Sequence, residues 1–89
     1  MKLILFYGRD CSNCEKMEPI IEKLEQELSV KFTRREVWHH PRNAGMMIKY
    51  SCKKLPMFLN KDSGDYVCGP VTDEELRAWL QEQMQLHGI

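Results

Sequence analysis

The stretch YGRDCSNCEKMEP, Tyr7 to Pro19, sets two cysteines two residues apart between an apolar run and a charged stretch of helical spacing. Before it, LILFY (Leu3–Tyr7) is continuously apolar, the pattern of a strand buried on both faces. After it, Met17, Ile20, Ile21, Leu24 and Leu28 recur at three- and four-residue intervals, with Glu15, Lys16, Glu22, Lys23 and Glu25 on the remaining faces. A helix starting at the Cys-x-x-Cys is expected, with Pro19 inside it removing one hydrogen bond and bending the axis. A thiol at such a helix start meets unpaired backbone N–H groups and the positive end of the macrodipole, which favour an anion. The thiolate is the reactive form, and these settings lower a cysteine pKa from about 8.5 to roughly 3.5–7.5. Cys11 is therefore expected to be a nucleophile. Cys14, one turn further in and expected to be less exposed, is placed to attack a mixed disulfide formed at Cys11.

Outward from the motif, VKFTRREVW (Val30–Trp38) mixes branched and aromatic residues with charge and suits an edge strand. Pro41 can start a short helix that buries Ala44, Met47, Ile48 and Tyr50. Met57–Leu59 and Tyr66–Cys68 flank NKDSGD and read as an antiparallel hairpin. Thr72 and Glu75 form a capping box, and the helix behind it buries Leu76, Trp79, Leu80 and Met84. The element order is β-α-β-α-β-β-α, an α/β fold on a mixed sheet.

Length and charge bound the function. The 89 residues support one domain, 1–89. Thirteen basic residues balance thirteen acidic ones, which argues against a nucleic-acid partner. The opening apolar run is too short for a signal peptide, and no run approaches the roughly 20 residues that span a membrane, so a cytoplasmic protein is expected.

The same two cysteines can hold a metal. Small copper and zinc chaperones carry Cys-x-x-Cys in a first βα loop, typically after a methionine and in a domain ending in a strand; here Asp10 precedes Cys11 and the chain ends in a capped helix. A structural zinc site needs four ligands. Cys52, Cys68, His39, His40 and His87 are available, but none forms a second Cys-x-x-Cys or the usual histidine spacing. No metal and no cofactor are expected. A non-catalytic metal-binding or redox-sensing module is the alternative reading.

The second signal is KKLPMF, Lys53 to Phe58, whose proline must sit at the start or edge of a strand because it cannot donate to the ladder. Together with the Cys-x-x-Cys in this element order, the chain resembles the thioredoxin and glutaredoxin superfamily over nearly its whole length. Pro19 matches the proline that bends the active-site helix, and KYSCKKLP matches the Lys-Tyr that thioredoxins place six residues ahead of a cis-proline. The resemblance implies a thioredoxin fold of glutaredoxin size with a central four-stranded mixed sheet. It also implies catalysis by Cys11 and Cys14, a cis Leu55–Pro56 bond facing them, and substrate binding by Leu55, Pro56 and Gly69. The implied activity is reduction or exchange of protein disulfides by a monomer, with a reductase or low-molecular-weight thiol as electron donor.

The chain departs from both patterns. Asp10-Cys11-Ser12-Asn13-Cys14 stands for the WCGPC of thioredoxins, without its tryptophan, and the buried aspartate of thioredoxins falls at Leu5. Lys54-Leu55-Pro56 and Cys68-Gly69-Pro70 replace the glutathione-binding elements of glutaredoxins. Cys52 and Cys68 are expected to be separate, idle thiols rather than a second redox pair, and Trp38, Trp79, Met46 and Met47 to serve packing.

Overall fold

The computed structural model describes residues 1–86, so His87, weighed above as a metal ligand, lies outside the described residues. The order is β1 (Leu3–Tyr7), α1 (Ser12–Leu28), β2 (Phe32–Glu36), α2 (Pro41–Ile48), β3 (Met57–Asn60), β4 (Tyr66–Cys68) and α3 (Asp73–Leu86), as the sequence pattern predicts. The four strands form one mixed sheet in the order β2-β1-β3-β4. β1 runs parallel to β2 and antiparallel to β3, and β4 is antiparallel to β3.

Burial on both faces of β1 organises the two layers. Leu3 and Leu5 pack with Met17, Ile21 and Leu24 of α1 and Leu76 and Leu80 of α3. Ile4 and Phe6 point the other way and pack with Val37, Met47, Met57 and Leu59. Helices α1 and α3 therefore cover one face and α2 the other, which follows from the two-residue alternation of a strand. The last turn of α1 ends on Ser29 in the left-handed region, φ 53°.

Charge in β2 is explained by its place at the edge. Arg34 reaches back to α1, where its guanidinium donates to Glu18 at 2.9 Å and to both carboxylate oxygens of Glu25 at 3.0 and 3.2 Å. The strand is shorter than Val30–Trp38. Beyond Glu36 only the Val37 N–H still follows the ladder, donating to the Tyr7 carbonyl at 2.8 Å. In α2, Ile48 is 62 % exposed rather than buried, because this two-turn helix turns Met47 into the core and carries its neighbour away from it.

The capping box forms as expected: Glu75 N–H donates to Thr72 Oγ1 and Thr72 N–H to Glu75 Oε1, both at 3.1 Å. One side chain ties α3 to the hairpin by several hydrogen bonds. Gln83, 1 % exposed, follows Leu76 and Leu80 on the buried stripe of α3; its Oε1 accepts from Asn60 Nδ2 at 2.8 Å and from Ser63 Oγ at 3.2 Å. Gln83→Leu keeps the volume but removes that acceptor. The variant is expected to lose about 1–3 kcal/mol of stability in urea unfolding, from the loss of the Gln83 hydrogen bonds that join α3 to the hairpin.

Candidate active site

The end of β1 delivers Gly8–Asp10 to the start of α1, and Cys11 is the N-cap residue of that helix, with φ −90° and ψ 111°. Its sulfur takes the place a serine or aspartate oxygen takes in most caps: the Cys14 backbone N–H donates to Cys11 Sγ at 3.1 Å. The Cys11 carbonyl receives the Glu15 N–H at 3.1 Å, starting the helix. Both cysteines are free thiols.

Exposure does not separate the two thiols, against expectation: Cys11 is 7 % exposed and Cys14 6 %. Their surroundings do. Cys11 opens on a groove of about 670 Å³ bordered by Asp10, Trp38, Ile48, Lys54, Leu55 and Pro70. Cys14 borders a second cavity, of about 220 Å³, together with Leu5, Glu15, Glu18 and Pro56. The Cys14 thiol is pushed up to about 12, first by burial and then by its hydrogen bond to, and the negative charge of, Cys11.

One carboxylate fixes the loop ahead of the motif. Glu36 ends β2 opposite Tyr7, and its side chain is turned inward, 5 % exposed. It accepts the Arg9 N–H at 2.9 Å, the Trp38 N–H at 3.2 Å and the His39 N–H at 2.8 Å, with the His39 and His40 rings at 3.4 and 3.2 Å. Burial opposes its ionisation, but the His39 and Arg9 N–H groups and the two rings prevail and lower its pKa to about 2. The turn so held lays Trp38 over Gly8. A Cβ on Gly8 would come within 2.7 Å of the indole, so only glycine fits there. Trp38, expected to be a packing residue, is 55 % exposed and forms a wall of the Cys11 groove. A tryptophan absent from the motif in sequence is thus present beside it in space.

The Leu55–Pro56 bond is cis. Leu55 lines the groove with Cys11, Pro56 lines the cavity with Cys14, and the Gly69 N–H donates to the Pro56 carbonyl at 3.0 Å. Gly69 has φ 93°, a backbone conformation that favours glycine, and a Cβ there would lie 3.3 Å from Lys54 Cβ, a tight contact. The structure therefore gathers Cys11, Cys14, Leu55 and Pro56 at the end of β1, with Gly69 joined through Pro56. Among the described residues, the Leu55 N–H and C=O have no hydrogen-bond partner.

Cys52 and Cys68 are not separate thiols. They form a disulfide across 16 residues, with a Cα–Cα distance of 5.6 Å. The chain between α2 and β3 passes beside the end of β4, a proximity that depends on the β3–β4 register and leaves no mark on sequence spacing. Two of the ligands weighed for a zinc site are occupied in this bond. Among the described residues, no three His, Cys, Asp or Glu side chains converge as a metal-holding group.

A family model described as Thioredoxin matches residues 1–82, so the chain belongs to the thioredoxin family. A solved structure of a malarial protein superposes with a TM-score of 0.65 at 18 % identity, covering 92 % of this chain and 97 % of that one, which shows a shared fold. No curated protein matches the sequence.

Two outcomes follow from these electrostatics. At pH 8 a thiol with a pKa of about 12 is ionised to only about one part in ten thousand. Iodoacetamide mapping is expected to find Cys11 labelled first, with no singly labelled species carrying the adduct on Cys14 at pH 8. Glu36 contributes stability that is present above its ordinary pKa of 4.5 and lost as pH falls toward about 2. Glu36→Gln is expected to lower Tm at pH 7 and to flatten the acid limb between those pH values, read by thermal melts across pH.

Proposed function

We propose that this thioredoxin-family chain is a thiol–disulfide oxidoreductase in which Cys11 is the nucleophile and Cys14 the resolving thiol. The observation that carries the reading is the inequality of two equally buried sulfurs. Cys11 Sγ receives a backbone N–H at a helix start, whereas Cys14 is held protonated by burial and by Cys11 itself. The Cys11 thiolate attacks one sulfur of a substrate disulfide, and the other substrate sulfur leaves as thiolate. Cys14 then loses its proton and attacks Cys11 Sγ, releasing the second substrate thiolate and leaving a Cys11–Cys14 disulfide. Two electrons pass to the substrate.

The raised pKa of Cys14 does not block the second step. Once Cys11 is in a mixed disulfide it no longer carries the charge that, with its hydrogen bond, raised the Cys14 pKa; only burial remains of those causes. Glu15 and Glu18 border the cavity through which the proton would leave. The open N–H and C=O of Leu55 suit pairing with an extended substrate segment, with Pro56 beside it and Gly69 bracing Pro56. Disulfide-bearing proteins are the proposed substrates, and a reductase or low-molecular-weight thiol the electron donor. Monomeric action in the cytoplasm is part of the same proposal; no helix among the described residues is long and apolar enough to cross a membrane.

Insulin reduction, with dithiothreitol, glutathione or a thioredoxin reductase as donor, tests the activity. Cys11→Ser is expected to reduce turnover to background and to trap no partner. Cys14→Ser is expected to accumulate mixed disulfides visible on non-reducing gels. Turnover by Cys14→Ser at the native rate would instead establish a one-thiol mechanism.

A further inference from the structure

We propose that Cys52 and Cys68 form a second redox centre, reduced by small dithiols, whose disulfide clamps one wall of the Cys11 groove. The consequence for substrates rests on the oxidoreductase reading above; the clamp itself does not.

The two sulfurs are unequal. Cys52 is 0 % exposed and packs with Ile4, Phe6, Met57 and Leu59, while Cys68 is exposed at the end of β4. Thiol–disulfide exchange needs access to the sulfur under attack, so an incoming thiolate meets Cys68 Sγ and expels Cys52. The expelled thiol has a place prepared. Cys52 Sγ lies 3.3 Å from the Lys54 carbonyl oxygen, which can accept its S–H, and a buried cysteine otherwise packs as a small apolar group. The second thiol of the reductant then attacks the mixed disulfide and frees Cys68. The reductant becomes a disulfide, and Cys52 and Cys68 take up two electrons and two protons.

What the bond holds is the groove wall. Lys53, Lys54 and Leu55 line the groove with Cys11, and they lie between Cys52 and Pro56. Opposite them, β4 is a three-residue edge strand that, among the described residues, pairs with β3 alone. Besides the disulfide, segment 52–56 is tied to residues 68–69 by the Gly69–Pro56 hydrogen bond and by Lys54 against Gly69. The chain just before it adds an edge-to-face contact of Tyr50 with Tyr66, at 5.8 Å between ring centroids. Cys52, Leu55 and Pro56 also rest on the core, so loss of the covalent tie loosens the exposed Lys53 and Lys54 wall against β4 rather than unfolding the segment.

The test uses Cys11→Ser/Cys14→Ser protein, which retains only the second pair, equilibrated in reduced and oxidised dithiothreitol mixtures. Alkylation and mass mapping are expected to show both thiols appearing together as the mixture becomes reducing. Amide hydrogen exchange is expected to quicken about tenfold in residues 53–58 and 66–70 on reduction, with β1 and α1 unchanged. Identical exchange in both states, or full alkylation of Cys68 under oxidising conditions, overturns the clamp. If the double serine variant does not fold, the same titration on the unaltered chain, with all four thiols mapped, decides the question. In a protein otherwise unaltered, Cys52→Ala/Cys68→Ala is expected to raise KM for a protein disulfide about threefold or more, with kcat within about twofold. An unchanged KM overturns the link to the groove. Absence of any turnover in the unaltered chain would count against the oxidoreductase reading alone, since the exchange measurement does not depend on it.

Discussion

A strand with no solvent face cannot end casually. Leu3, Ile4, Leu5 and Phe6 are each at most 2 % exposed, and β1 is paired on both sides, so its register and direction are fixed by two neighbours and two packed layers. The residues that follow must leave from a defined point at the end of the sheet. The parallel neighbour then extends its influence past the last strand residue: Glu36, opposite Tyr7, uses its side chain to receive the Arg9 N–H that no strand remains to receive. The start of α1, and with it Cys11, is positioned by a carboxylate that finishes the ladder.

How much of this was legible follows from the range of each interaction. Periodicity and capping are local, so LILFY, the Met17–Leu28 stripe and the Thr72–Glu75 box could be read directly, and their order gave the fold. The Cys-x-x-Cys and Pro56 were legible because a strand end and a strand start constrain what residues there can do. Glu36, Trp38 and the Cys52–Cys68 bond were not. Each takes its meaning from a residue far along the chain: Arg9 for Glu36, Gly8 for Trp38, and a β3–β4 register for the disulfide. Ile48 failed differently, since in a helix of eight residues one position more or less on the apolar face decides between core and solvent.

Burial alone does not assign chemistry at this site. Two thiols two residues apart are almost equally hidden, and what distinguishes them is the direction of one N–H, from Cys14 to the Cys11 sulfur. Leu5 occupies the strand position where thioredoxins carry a buried aspartate, so the cavity behind Cys14 has an apolar wall there and carboxylates only from α1. Of these, Glu18 is already paired with Arg34 of β2. One of the two acids bordering the Cys14 cavity is thus tied to the edge strand rather than set in the central one.

The groove in front of Cys11 consequently has two walls held by different physics. On one side Trp38 is kept over Gly8 by hydrogen bonds to an ionised carboxylate, an arrangement that persists as long as Glu36 carries its charge. On the other side Lys53–Leu55 are kept near β4 by a covalent bond whose outer residue, Cys68, is exposed on an edge strand. The first wall depends on the charge of Glu36, which acid removes; the second depends on a bond that, as proposed, reductant opens. If Cys52 and Cys68 exchange as proposed, one wall of the groove responds to the same class of chemistry that Cys11 and Cys14 are proposed to perform, while the Trp38 wall does not depend on it.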